Sequence, residues 1–381
     1  MIVMKFGGTV LHHEAGFQSM IDIINSGTDR CLIVVSAFSD ITRKIDSAMK
    51  LALDSSFESA ENIIDSIMEY HKSLSSALLP NNDVYPETID HVHAVCNRLL
   101  RGIQLTGEIS QRTRDLMLSK GEYLASTFIH HLLKQHNIAS KMLDATAIIK
   151  TNNDHGNAKP IEFLVRQQVQ DHIISDEENY DVFIIAGFIG SDMEGNITTM
   201  GYESSNLTAS LLGCLLEVDE IIIWTDVSGI RSIDPKLSSK SIGIPECSFQ
   251  IAQKLADYGL KLLHHWMIEL PMQYSIPVSI RNAYDDSEGY TKIHSMKIEV
   301  IPQMILCSEY NGRTSITIVS DKPEMVTKIY EIGTELSKHN SVEISTYVLP
   351  YLHTINVDHE QSSNIIQTLH TLIEDTHETS S

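Results

Sequence analysis

The stretch from Phe183 to Pro235 reads FIIAGFIGSDMEGNITTMGYESSNLTASLLGCLLEVDEIIIWTDVSGIRSIDP, and its alternation of apolar runs with glycine turns decides the fold class. Val182 to Ala186 is a hydrophobic run of strand length that ends in Gly187-Phe188-Ile189-Gly190. A short polar hairpin turned by Glu194-Gly195-Asn196 follows, then Thr198-Thr199-Met200-Gly201, a small polar loop, and an apolar helix from Leu207 to Leu216. A second hydrophobic strand, Glu220 to Trp224, closes on Thr225-Asp226. Glycines at strand ends let a backbone approach a ligand closely. The free amides of a helix start attract anions. The pattern therefore predicts an α/β protein that holds phosphate or carboxylate at the ends of parallel strands. On this stretch alone a plainer alternative stays open, a buried β-α-β unit whose glycines serve only tight turns.

Outward from it, the flanking segments supply further strands. Ile2 to Phe6 is a short apolar strand carrying Lys5, with Gly7-Gly8-Thr9 directly after it. A lysine beside a diglycine turn suits phosphate, offering a point charge and backbone amides together; strand–diglycine turns without that role are equally common. Cys31 to Val35 is a second buried strand, followed by Ser36-Ala37-Phe38-Ser39-Asp40-Ile41-Thr42. Those small hydroxyl residues serve either a polar substrate or the N-cap of the next helix. Ile138 to Leu143 reads as another strand, and Ile276 to Asn282 as the last one of the sheet.

Apolar residues recurring every three or four positions predict helices over Phe17–Ile24, Thr42–Leu79, Glu87–Arg101 and Ile161–His172. Ile109 to Leu133 reads as a helix pair broken at Gly121, with Glu122 opening the second helix, where the dipole favours a carboxylate. Ile251 to Met267 reads as one amphipathic helix bearing Gly259, Lys261 and His264. After Ile301 the composition changes. Strands at Ser315–Val319, Val342–Leu349 and His353–Val357, with helices at Glu324–His339 and Ser362–Ile373, predict a small α+β domain.

A chain of 381 residues has room for about two or three domains. Its net charge of −22, from 28 basic and 50 acidic residues, argues against nucleic acid or an anionic membrane as partner. The five cysteines, none in a C-x-x-C pair, fit buried thiols in a reducing cytoplasm, not a disulfide framework or a zinc site. No run is long and apolar enough to span a membrane, and MIVMKFGG reads as a core strand rather than a targeting signal.

Lys5-Phe6-Gly7-Gly8-Thr9, Val35-Ser36-Ala37, Gly121-Glu122, Gly187-Phe188, Thr198-Thr199-Met200-Gly201 and Thr225-Asp226-Val227-Ser228-Gly229-Ile230 occur in this order. With Asp234-Pro235, Gly259-Leu260-Lys261-Leu262-Leu263-His264 and Arg281-Asn282, they resemble the aspartate kinases of the amino-acid kinase family. The resemblance implies a three-layer α-β-α sandwich over residues 1–300 and an ACT-like domain over residues 305–381. It implies transfer of the ATP γ-phosphate to the side-chain carboxylate of aspartate, a reaction that needs alignment and charge neutralisation more than covalent help.

Carried over, Lys5 stabilises the transferring phosphoryl group beside the Gly7 and Gly8 amides, and Lys261 reaches the ATP phosphates. Glu122 positions the amino-acid substrate, with Ser36, Thr42 and Ser205 at the same end. Thr225, Asp226 and Ile230 flank the adenine and ribose, and Lys236 takes the place of the basic residue after Asp-Pro. Mg²⁺ is held mainly by phosphates and water, with no protein metal cluster. A lone ACT-like module implies a homodimer paired through it.

The chain departs from the family in its substrate loop. Tyr202-Glu203-Ser204-Ser205-Asn206 stands where the family reads Arg-Gly-Gly-Ser-Asp. The missing arginine pairs with the substrate α-carboxylate in the family, and tyrosine offers no such fork. Glu203 adds negative charge to an anion site. Thr9 runs straight into Val10 where the family has Gly-Gly-Thr-Ser-Val, and His264-His265 replaces His-Pro. Three readings stay open at this point: an aspartate kinase, a kinase for a different amino-acid-like carboxylate, and a nucleotide-binding regulatory homologue with little catalysis.

Overall fold

Strand β1 (Ile2–Phe6) centres the first sheet in a computed structural model of the chain. The structure describes the chain except residues 28–29, 177–178, 202, 261, 264, 286, 288, 296–301, 311, 321, 323–326, 329, 332–333, 335–342, 347–351 and 379–381. β1 pairs in parallel with β2 (Cys31–Val35) on one side and β7 (Glu220–Thr225) on the other. β2 pairs in parallel with β4 (Val182–Ala186), and β4 with β3 (Ser140–Leu143). The order β3-β4-β2-β1-β7 is thus parallel throughout, and the mixed α/β expectation holds. β2 and β4 are buried at every position, which is why they read as unbroken apolar runs. Because the five strands run one way, Phe6, Val35, Ala186 and Thr225 bring the loops that follow them to one edge. The small hairpin β5 (Ile189–Ser191) and β6 (Ile197–Thr199) follows β4 as expected, with Asp192 accepting the Glu194 and Asn196 amides in its turn.

The helices of this unit are α1 (Glu14–Ser26), α2 (Ile41–Leu53), α3 (Phe57–Leu78), α4 (Val84–Thr106), α5 (Gln111–Gln135), α6 (Ala145–Ile148), α7 (Glu162–His172) and α8 (Ser205–Leu215). Two expectations need correction. The continuous helix expected from Thr42 to Leu79 is two, broken where Ser55 takes φ +63°. The break expected at Gly121 does not exist, because α5 runs through it. Gly121 is there for packing: a Cβ would stand 3.0 Å from Ile41 Cγ2 and 3.2 Å from Ala37 Cβ. Gly121→Val is expected to cost about 1–3 kcal/mol through this overlap, read as a lower midpoint in urea unfolding.

Two compact units, Met1–Asp226 and Val227–Ser381, divide the described chain. In the second unit β10 (Thr291–His294) pairs antiparallel with β9 (Val278–Asn282) and parallel with β8 (Glu246–Ser248). β9 is therefore not the last strand of its sheet. β8 and β10 escaped the sequence reading because they are short and mix polar with apolar residues. The single helix expected from Ile251 to Met267 is also corrected. It is α9 (Phe249–Asp257) and α10 (His265–Tyr274), separated where Gly259 takes φ +93°. Lys261 and His264, between them, lie outside the described residues.

The C-terminal sheet is antiparallel, in the order β11-β12-β14-β13, from β11 (Met304–Tyr310), β12 (Arg313–Val319), β13 (Glu343–Thr346) and β14 (Leu352–Asp358). β11 was not anticipated, and the helix expected over 324–339 falls largely outside the described residues. Helix α11 (His359–Glu378) lays Ile365, Leu369 and Ile373 on a core with Ile316, Ile318 and Ile355. Among the described residues no helix is long and apolar enough to cross a membrane.

Candidate active site

The carboxyl edge of the first sheet gathers most of the residues singled out from the sequence. Lys5 is half-buried near the end of β1, and its Nζ would stand 3.4 Å from a Cβ at Gly7. The Gly7 amide donates to Trp224 O at 3.3 Å, tying this turn to the end of β7. Gly8 packs on the segment after β2. A Cβ there would stand 2.6 Å from Ala37 O, which leaves glycine as the residue that fits. Asp226 is exposed, and its Oδ1 accepts from Thr225 Oγ1 at 3.1 Å and Thr9 Oγ1 at 3.3 Å.

The segment after β2 carries Ser36 and leads into α2, whose first turn holds Thr42; both are half-buried. Asp40 stands at the N-cap with φ +55°, yet its side chain makes no cap bond. Helix α5 brings Glu122 beneath this segment. Glu122 is 3% exposed and accepts the Ala37 N–H at 2.5 Å. It is not the first-turn carboxylate expected from the sequence but a mid-helix one, directly after the glycine that lets α5 approach. Burial pushes its carboxyl up to about 8, against the opposing pull of the Ala37 amide and of Lys5. Burial likewise draws the Lys5 ammonium down to about 8, against Glu122 and Glu203. The two groups form a poorly solvated pair of opposite charge types, able to respond to an incoming charged ligand.

The loop before α8 is the third part. Gly201 takes φ +87° and Glu203 φ +64°; Tyr202 between them lies outside the described residues. Ser205 opens α8, and a Cβ on Gly187 would stand 2.6 Å from Ser205 Cβ, so the end of β4 is packed on that helix start. Ser204 Oγ and Asn206 Oδ1 are buried with no hydrogen-bond partner among the described residues. Buried polar atoms are seldom left so without a ligand or water to meet them. Neither residue was chosen from the sequence, where both read as replacements of family residues.

Asp115 is a further group that sequence reading passed over. It lies seven positions before Glu122 on α5, hence on the same helix face, and it is fully buried. Its carboxylate accepts from Thr199 Oγ1 and from the Gly156 amide at 3.1 Å, and His155 Nδ1 stands 2.7 Å away. One carboxylate thus joins the helix of Glu122 to the strand leading into the loop before α8.

In the second unit Ile230 is buried, and its amide donates to Thr291 Oγ1 at 2.7 Å. It lines a cavity of about 300 Å³ together with Val227, Asp234 and Leu260. Lys236 is exposed, its amide bonded to Asp234 Oδ1 at 2.9 Å. Among the described residues no three His, Cys, Asp or Glu side chains converge on a metal position.

Comparison with known proteins adds to this geometry. The chain is 28% identical over 297 residues to the chloroplastic bifunctional aspartokinase/homoserine dehydrogenase 2 of Arabidopsis thaliana, covering 76% of this chain and 32% of that protein. It is 30% identical over 269 residues to aspartokinase 1 of Bacillus subtilis (strain 168), covering 70% of this chain and 62% of that one. The chain therefore spans about a third of the first relative's length and under two thirds of the second's. Among solved structures, E. coli aspartokinase III in complex with aspartate and ADP matches with a TM-score of 0.73 and 25% identity, covering 94% of this chain and 78% of that one. The model of the amino acid kinase family matches residues 1–282, the span that holds every strand-end residue described above, and the chain belongs to that family.

Proposed function

We propose that the chain is an ATP-dependent aspartate kinase, transferring the γ-phosphate to the side-chain carboxylate of L-aspartate to give 4-phospho-L-aspartate. The observation that carries this reading is the half-buried Lys5 ammonium over the Gly7-Gly8 turn together with the buried Glu122 carboxylate that acts on it. A cation at that turn suits the transferring phosphoryl group, and a buried carboxylate suits the ammonium group of an amino acid. Relatives named aspartokinase, and a matching structure that holds aspartate and ADP, support the same choice.

In this reading Lys5 and Lys261 are catalytic, with the Gly7 and Gly8 amides on the phosphates. Ser36, Thr42, Glu122 and Ser205 hold the acceptor. Thr225, Asp226, Ile230 and Lys236 hold the nucleotide. Mg²⁺ arrives with ATP, held by phosphate oxygens and water. Residues 1–300 form the kinase domain and residues 305–381 an ACT-like module that pairs two copies into a homodimer, in the cytoplasm.

A second reading, a kinase for another amino-acid-like carboxylate, is favoured by Glu203, whose charge acts on Lys5 from the acceptor loop. ADP release measured against a panel of carboxylate acceptors separates the two. Turnover with L-aspartate is expected. Turnover with another acid alone selects the second reading, and tight ATP binding without turnover on any acid overturns both.

A further inference from the structure

Helix α5 carries two buried carboxylates on one face, Asp115 at 0% exposure and Glu122 at 3%. Seven helical positions set them about 10 Å apart along the axis. Glu122 meets the segment after β2 through the Ala37 amide. Asp115 meets two other segments. Its Oδ1 accepts from Thr199 Oγ1, on the last residue of β6. Its Oδ2 accepts the Gly156 amide at 3.1 Å and stands 2.7 Å from Nδ1 of the half-buried His155. Both oxygens are thus met, as a carboxylate without exposed surface requires.

The segment from His155 to Asn157 packs in turn on the loop before α8. A Cβ on Gly201 would stand 3.5 Å from Asn157 Oδ1 and 3.9 Å from Gly156 O. The loop is bonded again where it leaves β6: Thr199 O takes the Ala158 amide at 2.9 Å, and the Met200 amide donates to Phe188 O at 3.0 Å. Beyond that point the loop is costly to hold. Glu203, a non-glycine residue, takes φ +64°, and Ser204 Oγ and Asn206 Oδ1 are buried without a partner among the described residues. Each of these features raises the free energy of the unliganded loop. Its shape therefore depends on the bonds at its start, and Asp115 ties that start to α5.

We propose that Asp115 is a positioning residue for the acceptor, holding the turn at Gly201 through Thr199, His155 and Gly156 at a spacing from Glu122 fixed by the helix that carries both. The inference rests on the acceptor half of the function proposed above. Glu122 and Ser205 contact the acceptor; Asp115 acts only through the segments it bonds. Loss of its charge then loosens one side of the acceptor site and leaves Lys5 and the Gly7-Gly8 turn in place. Acceptor affinity falls, and the rate from the filled site does not.

The test uses the full chain. Asp115→Asn keeps the size and removes the charge. KM for L-aspartate is expected to rise about tenfold or more, as misplacing a binding contact does. Binding of MgADP by calorimetry and kcat at saturating L-aspartate should stay at parental values. His155→Ala should move KM in the same direction, and the double variant should fall short of the product of the two single effects, because both break one tie. In the unliganded proteins, deuterium uptake in peptides covering 199–206 should be faster in each single variant, with β2 and β4 exchanging as in the parent. That readout needs neither turnover nor a known acceptor. A parental KM, or parental exchange at 199–206, overturns the inference and leaves the kinase reading standing. Faster exchange in β2 and β4 as well, or a lower kcat at unchanged KM, makes Asp115 a general structural residue and overturns it too. A parent inactive on L-aspartate overturns the aspartate reading, and exchange at 199–206 still decides the inference.

Discussion

Lys5→Ala is expected to lower kcat by about a thousandfold, the scale on which removing one preorganised charge acts. The position of the ammonium sets this scale. It is half-buried over Gly7 and desolvated enough that its value falls to about 8, even with Glu122 and Glu203 pulling it upward. A cation already partly desolvated has less to reorganise when a triphosphate arrives, and each interaction is stronger in such a medium. Lys5→Met keeps the apolar stem and should lose nearly as much, which separates charge from packing. The profile of kcat/KM against pH reports the free enzyme and should fall as pH rises past about 8. With ATP bound, phosphate raises the lysine again, so the fall in kcat should come at higher pH. A rate unchanged in Lys5→Ala would remove this residue from the chemistry.

Much of this edge could be read from the residues alone, for a physical reason. β2 and β4 are covered on both faces, so they appear as unbroken apolar runs, and Lys5, Ser36 and Thr225 stand out because polarity begins where burial ends. Glycine was the unreliable sign. Gly121 and Gly259 look alike in sequence, yet the first sits inside a helix because Ile41 and Ala37 leave no room for a Cβ, and the second ends a helix with φ +93°. Only the neighbour across the fold tells them apart. Asp115 was illegible for the same reason, since its partners His155 and Thr199 lie 40 and 84 positions away. The segment after residue 300 was half-read, because β11 carries the polar Ser308 and Glu309, and the first strand that alternation reveals is the one at Ser315, inside β12.

Glu122→Gln is expected to raise KM for the acceptor by about a hundredfold, corresponding to about 3 kcal/mol for a buried charge pair that loses one partner. Glutamine keeps the size and can still accept the Ala37 amide through its oxygen, so the fold around Gly121 survives. The same substitution changes how stability depends on pH. Glu122 is raised from 4.5 to about 8, so between these values the folded chain holds a proton that the unfolded chain has released. Its contribution is complete below the lower value and is lost as pH rises toward the upper one, at up to about 1.4 kcal/mol per pH unit. Lys5 acts in the next window with the opposite sign: lowered from 10.5 to about 8, it makes stability rise with pH between those values. Urea unfolding of the unliganded chain from pH 5 to 8 should therefore show a decline that Glu122→Gln flattens. A parental chain with no decline would mean that water reaches this carboxyl. The two effects share a cause. An ammonium group arriving at Glu122 favours the carboxylate over the acid, so acceptor binding near neutral pH should release a proton. Calorimetry in two buffers of different ionisation enthalpy measures that proton directly, and Glu122→Gln should abolish it.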